Sequence, residues 1–125
     1  MSVKKEINSK EQIEILIRHF YSKLLKDEMI SKHFVTLDLE HHIPKVVAFW
    51  AFVLLDEAGY NTNVFEKHLH LNLDMEQTKR WLKLFTESID ELFTGEKAEL
   101  AKQRAESIAY IFGSKFEEIK KRNTD

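Results

Sequence analysis

The chain has 125 residues, which is enough for one compact domain and short for two. Nineteen Lys and Arg against 21 Asp and Glu leave a net charge of −2, which gives no electrostatic footprint for nucleic acid or an anionic membrane surface. Because cysteine is absent, disulfides, thiol nucleophiles, iron–sulfur clusters and thiolate zinc sites are excluded.

Glycine and proline are scarce, with three and one residues respectively, which is too few turn residues for an all-β fold. The first predicted helix follows the capping-box spacing Ser9-Lys10-Glu11-Gln12, in which the Gln12 side chain can reach back to Ser9. Apolar residues then recur at three- and four-residue steps over residues 13–25. Asp27 is expected to cap a short helical corner that carries Phe34.

A second helix is predicted to begin near His41 or His42, because Pro44 is tolerated only in a first turn, and to end at Gly59. Ten consecutive apolar residues at 46–55 predict a helix that is covered on nearly every side. A domain with few helices has few other segments that could pack against all sides of this helix. Either ordinary helix crossing or a large apolar ligand must supply the cover.

Residues 60–73 are predicted to form a loop with one short helical piece at 65–69. A third helix should begin with a second capping box at Asp74 and end at Gly95, and a fourth should carry an apolar stripe over residues 101–119. The sequence thus predicts one all-α domain over residues 1–125, with flexible ends at 1–8 and 120–125. The charged N-terminus lacks a signal-peptide pattern and residues 46–55 are half of a bilayer span, so we expect a cytoplasmic protein.

Six histidines are the remaining candidates for soft metal ligands. His19 and His33 are interpreted as surface residues. His41 and His42 open the apolar second helix, where a neutral imidazole could serve as a ligand or hydrogen-bond partner; alternatively, one caps the helix and the other faces water. His68 lies between aromatic and aliphatic neighbours, where an ordinary packed or exposed histidine is the commoner explanation and ligation the rarer one.

Other chemistries find little support in the sequence. The pair His68 and His70 has a spacing that suits zinc on a strand, but no third ligand lies near. A di-iron bundle needs two Glu-x-x-His motifs, and the chain contains none. Neither a phosphate loop, a glycine fingerprint nor a Ser-His-Asp order is present. The many carboxylates are interpreted as solvated.

Several residues recur in a familiar order along the chain: Phe20-Tyr21, Phe34, His42, Phe49-Trp50, His68-Leu69 and Trp81-Leu82-Lys83-Leu84-Phe85. The most specific pieces are Ala48-Phe49-Trp50-Ala51 and the stretch from Trp81 to Ser88. From about residue 10 to 118 the chain resembles the truncated haemoglobins, and within them the third group. The absence of paired glycines fits that group.

The resemblance implies a globin-like two-over-two helical sandwich, with a short proximal loop, that holds haem b (iron protoporphyrin IX). Carried over by position, His68 matches the proximal histidine that ligates the iron. The other implied contacts are the distal residues Tyr21, His42 and Trp81 and the haem-packing residues Phe34, Val46, Trp50 and Leu69. For Trp50 the alternative is an ordinary core aromatic.

Pro44 follows His42 by two residues and leaves the direction of the His42 ring open. His42 donates a hydrogen bond to the ligand, or swings out as a gate, or leaves the polar edge to His41.

The functional implication is a haem protein that reversibly binds O2, NO, CO or cyanide, because one imidazole leaves the sixth position of the iron open. Strong distal donors suit chemistry on the held gas, such as NO dioxygenase-like or peroxidase-like turnover with a reductase partner, better than delivery; neither reaction follows from the sequence. No nucleic acid or membrane partner is expected. The competing hypothesis is a cofactor-free helical interaction module.

Overall fold

A computed structural model describes residues 4–34, 38–56 and 74–124 of the chain, without the side chains of residues 116 and 119–124. Four α-helices lie in these ranges, and a single 3₁₀ turn at Ser31–His33 lies between the first and second of them. The helices are α1 (Lys10–Leu24), α2 (Leu39–Leu55), α3 (Met75–Leu92) and α4 (Glu96–Thr124). The prediction of an all-α fold is confirmed.

The helices pack as two crossed pairs. Helix α1 contacts α2 and α3, and α4 contacts α3 and α2. Across the centre, α2 and α3 meet where the Trp50 ring stacks on Phe85, with ring centroids 5.0 Å apart. This is the predicted two-over-two sandwich. The predicted proximal loop and the helical piece at 65–69 lie outside the described residues.

Helix α1 begins where the sequence predicts, with one difference at its cap. The Ser9 hydroxyl accepts the N–H of Gln12 at 3.3 Å. The Gln12 side chain, however, accepts the N–H of Asn8 and not that of Ser9. The Ser9 cap is therefore formed as predicted, and the Gln12 side chain satisfies an N–H one residue before the predicted one.

Helix α2 departs from its predicted bounds at both ends. It begins at Leu39, so Pro44 lies in its second turn and not in its first. Pro44 is exposed, and water can therefore solvate the Glu40 carbonyl that loses its helical partner. The helix ends at Leu55 because Asp56 adopts a left-handed conformation with φ of 56°, well before the predicted stop at Gly59.

Within the described part of the chain, the faces of α2 are buried to different extents. Its best-buried face carries the core residues Ile43, Val47, Trp50, Ala51 and Leu54. Phe52, on another face, is 46% exposed. Among the described helices, α1 and α4 pack on α2, and α3 meets it where Trp50 stacks on Phe85.

Helices α3 and α4 form the second layer of the sandwich. Asp74 forms the complete capping box predicted for α3, in which its carboxylate accepts the Gln77 N–H at 2.7 Å and the Gln77 side chain accepts the Asp74 N–H at 3.0 Å. Helix α3 ends at Leu92, three residues before the predicted stop at Gly95, and α4 runs to Thr124, past the predicted start of a polar tail at residue 120.

A backbone contact joins the N-terminal segment to the turn between α3 and α4. The Thr94 N–H donates to the Lys5 carbonyl at 2.9 Å, and Ile7 is fully buried. Gly95 has a φ of +101°, and a Cβ there would lie 2.8 Å from a Glu6 carboxylate oxygen. Glycine at this position therefore avoids both backbone strain and a clash with the segment before α1.

No helix in the described ranges is both long and apolar enough to cross a bilayer.

Candidate functional site

The candidate site begins with a contact between α1 and α2. The Tyr21 hydroxyl lies 2.7 Å from Nε2 of His42, and the two rings meet edge to face with centroids 5.6 Å apart. Tyr21 lies on the buried face of α1 and is 6% exposed, whereas His42 is half-buried near the start of α2. One hydrogen bond joins the two polar atoms: either the phenol donates to a bare Nε2, or a protonated Nε2 donates to the phenol oxygen and leaves the phenol O–H for another acceptor.

His42 heads a row of side chains along one face of α2. The row is spaced at steps of three and four residues, and each member is half-buried. We call it the half-buried stripe; its members are His42, Val46, Phe49 and Val53. The stripe has one polar group at its N-terminal end and is apolar beyond it, so it would suit a flat apolar body with one polar contact above it.

Trp81 on α3 reaches the same region through the core aromatics. Its ring lies parallel to Phe85 at 5.6 Å and edge-on to Phe20 at 5.9 Å. Phe20 also contacts Tyr21 at 5.2 Å, so the rings from His42 to Trp81 form one continuous chain. The indole N–H of Trp81 makes no hydrogen bond among the described residues. An indole N–H is a hydrogen-bond donor and can donate to a ligand.

The corner after α1 carries Phe34, which is 5% exposed and lies 6.5 Å from the Tyr21 ring, close to edge-on. Its neighbour His33 was expected to be a surface residue. The ring is instead half-buried, and its Nε2 is a buried atom that has no hydrogen-bond partner within the described part of the chain. The predicted short helical corner is confirmed as the 3₁₀ turn that precedes Phe34.

Asp27, which was predicted to cap the corner, also forms an ion pair that the sequence did not indicate. Oδ2 of Asp27 accepts hydrogen bonds from Nε and Nη2 of Arg80 at 2.7 and 2.6 Å, and its Oδ1 accepts the Met29 N–H at 3.0 Å. Burial raises the pKa of the Asp27 carboxyl, but the hydrogen bonds from Arg80 and Met29 and the Arg80 charge outweigh burial and set that pKa below its ordinary value.

The other candidate residues lie apart from this group. His41 is exposed on α2, so His42 and not His41 faces Tyr21. His19 is half-exposed, as expected of a surface residue, and lies 3.2 Å from a Glu91 carboxylate oxygen. Trp50 is 3% exposed against Phe85, the position of a core aromatic.

The residues assigned to the opposite face of the site, His68 and Leu69, and the zinc candidate His70 lie outside the described residues. In the described ranges, no cluster of three or more His, Asp or Glu side chains could hold a metal ion. The described half of the site therefore offers hydrogen-bond donors and apolar contacts to a ligand and does not offer a metal-binding cluster.

Comparison with known proteins assigns the fold to a family. The model of the bacterial-like globin family matches residues 3–114. The group 3 truncated hemoglobin ctb of Campylobacter jejuni is 37% identical over 117 residues, which cover 88% of this chain and 92% of that protein. The crystal structure of a group III truncated hemoglobin from Campylobacter jejuni superposes with a TM-score of 0.78 at 33% identity, covering 91% of this chain and 95% of that chain. This chain belongs to the group III truncated haemoglobins.

The buried Tyr21 phenol predicts a specific alkaline behaviour. Burial raises the pKa of Tyr21 above its ordinary value of 10.0. Between the unfolded and folded pKa values the folded chain keeps a proton that the unfolded chain loses, so stability from this group is intact below about pH 10 and falls above it by about 1.4 kcal/mol per pH unit. Tyr21→Phe should therefore flatten the decline in the free energy of unfolding above pH 10, measured by urea titration.

Tyr110→Phe is the matched control, since Tyr110 is 72% exposed on α4 and its loss should leave the alkaline slope unchanged. Parallel curves for the native chain and Tyr21→Phe would contradict the assignment of a buried phenol.

Proposed function

We propose that this truncated haemoglobin binds haem b through His68 and holds a small diatomic ligand in a pocket formed by Tyr21, His42 and Trp81. Membership of a globin family implies haem binding. The observation that carries the proposal is the 2.7 Å contact of the Tyr21 hydroxyl with His42, at the polar end of the half-buried stripe. The ligands proposed are O2, NO, CO and cyanide.

The described residues suit a haem. Haem is a broad apolar disc, and the half-buried stripe offers apolar side chains that neither the core nor water fully covers. Val46 lies one turn from His42 on the same face of α2, and Phe34 packs close to Tyr21 at the corner. Leu69 and Trp50 are further proposed contacts, and His68 is the proposed iron ligand. Bound haem supplies an iron whose sixth coordination position accepts a diatomic ligand when one imidazole occupies the fifth.

Tyr21, His42 and Trp81 are proposed to retain the ligand by hydrogen bonding. The Trp81 indole N–H can donate to a ligand, and the Tyr21 hydroxyl can do so when a protonated Nε2 of His42 donates to the phenol oxygen. In a site from which water is excluded, each such hydrogen bond is worth roughly 1–3 kcal/mol, or about a tenfold to hundredfold slower loss of ligand.

Slow ligand loss suits reactions of the held gas better than delivery. We therefore propose that the protein carries out NO dioxygenase-like or peroxidase-like turnover. The proposed location is the cytoplasm, and the proposed additional partner is a reductase. The cofactor-free helical module, which was the competing hypothesis from the sequence, gains no support from membership of a globin family.

The iron ligand can be tested with two neighbouring histidines. Replacing His68 by Ala should lower haem affinity by about tenfold or more and shift the Soret band in a haemin titration, because the bond to the iron is lost. His70→Ala is the matched control, two residues further on, and should bind haem like the native chain. Free imidazole should restore the native spectrum of His68→Ala. A native spectrum without imidazole, or a larger loss in His70→Ala, would contradict the assignment.

The distal donors can be tested by oxygen dissociation, measured by stopped flow with CO as the displacing ligand. Tyr21→Phe and Trp81→Phe should each accelerate oxygen loss by roughly tenfold to hundredfold and also speed autoxidation, since each removes one donor. Tyr110→Phe, on the exposed face of α4, should leave the rate unchanged. A native rate in Tyr21→Phe would remove that residue from the distal pocket.

A further inference from the structure

The Asp27–Arg80 pair is unusual among the described ion pairs because its carboxylate side chain is only 6% exposed. Both Nε and Nη2 of Arg80 donate to the same carboxylate oxygen, and the other oxygen accepts the Met29 N–H. Breaking a buried pair by removing one partner leaves an uncompensated charge, whereas exposed pairs contribute little. The Asp27–Arg80 pair therefore restrains the relative positions of the two segments that carry it.

The pair joins two segments that carry residues of the proposed pocket. On one side, Asp27 follows α1, and its backbone carbonyl accepts the Ser31 N–H at 2.9 Å, directly before the 3₁₀ turn that leads to Phe34. On the other side, Arg80 directly precedes Trp81 on α3. The Asp27 carboxylate thus connects the corner that carries Phe34 to the turn of α3 that carries Trp81.

We propose that Asp27 and Arg80 are positioning residues, which fix the Trp81 indole and the Phe34 corner relative to the Tyr21 hydroxyl and so slow ligand loss. The inference rests on the proposed function only for its kinetic consequence. The positioning of Trp81 and Phe34 depends only on contacts within the chain and can be tested without a cofactor. Neither residue needs to touch the ligand.

The geometry explains why arginine is required. A planar guanidinium presents Nε and Nη2 side by side and so fixes the direction of approach, whereas a lysine ammonium supplies charge without that direction. Arg80 is the residue next to Trp81, so a restraint on Arg80 also restrains the Trp81 backbone. A displacement of the indole by about 1 Å is enough to weaken its hydrogen bond to a ligand. Arg80→Lys should therefore retain only part of the effect.

The experiment measures oxygen dissociation by stopped flow in the haem-loaded chain and its variants. Asp27→Asn and Arg80→Gln should each raise the rate by about 3- to 30-fold, and Arg80→Lys should lie between them and the native chain. The control is Asp90→Asn, which breaks the exposed Lys102–Asp90 contact of 2.8 Å between α4 and the same helix α3. It should stay within about twofold of the native rate.

A structural readout on the unloaded chain separates positioning from general loosening. In Asp27→Asn, amide exchange should accelerate at Met29 and Ser31, about fivefold or more, and the near-UV circular dichroism of Trp81, identified by its loss in Trp81→Phe, should weaken. Asp90→Asn should change neither signal. Unchanged exchange and dichroism in Asp27→Asn would overturn the proposal.

The kinetic arms give separate outcomes. Native dissociation rates in both Asp27→Asn and Arg80→Gln, or an equal acceleration in Asp90→Asn, would overturn the proposal in a chain that loads haem normally. If the native chain takes up no haem, the proposed function fails, and the exchange and dichroism measurements still decide whether the pair positions Trp81 and the corner.

Discussion

The apolar surface of α2 is the constraint on which the rest of the account depends. The helices in the described part of the chain bury one face of α2 well and leave apolar side chains on its other faces partly exposed. The half-buried stripe headed by His42 remains partly open. Contact with a large apolar group would bury this surface, which is why a globin cofactor and the sequence of α2 fit each other.

Three polar contacts organise the structure around that stripe; two of them join elements that are distant in sequence, and the third is local to the start of α3. Tyr21 and His42 join α1 to α2. Asp27 and Arg80 hold the corner against α3. The capping box at Asp74 fixes the start of α3, seven residues before Trp81. The donors proposed for the distal pocket thus lie on helices that these polar groups hold in place, so the described part of the proposed site is ordered without a ligand.

The sequence predicted correctly those features that depend on residues close to one another in the chain. The cap at Asp74 and the apolar stripe of α3 involve residues within a few positions of each other, and both were predicted correctly. The start of α2 was not, because the tolerance of Pro44 in a second turn depends on its exposure to water. The partner of Asp27 lies 53 residues away, and no periodicity reports such a contact. Whether His41 or His42 faces Tyr21 depends on a rotation of one residue along α2, which the proline left open.

Titration of the purified native chain with haemin tests the central claim most directly. If the half-buried stripe and His68 hold the cofactor, absorbance should develop an intense Soret band that saturates at one haem per chain and stays with the protein through gel filtration. A chain that stays colourless after gel filtration, with haemin spectra identical to those of free haemin, would contradict the account.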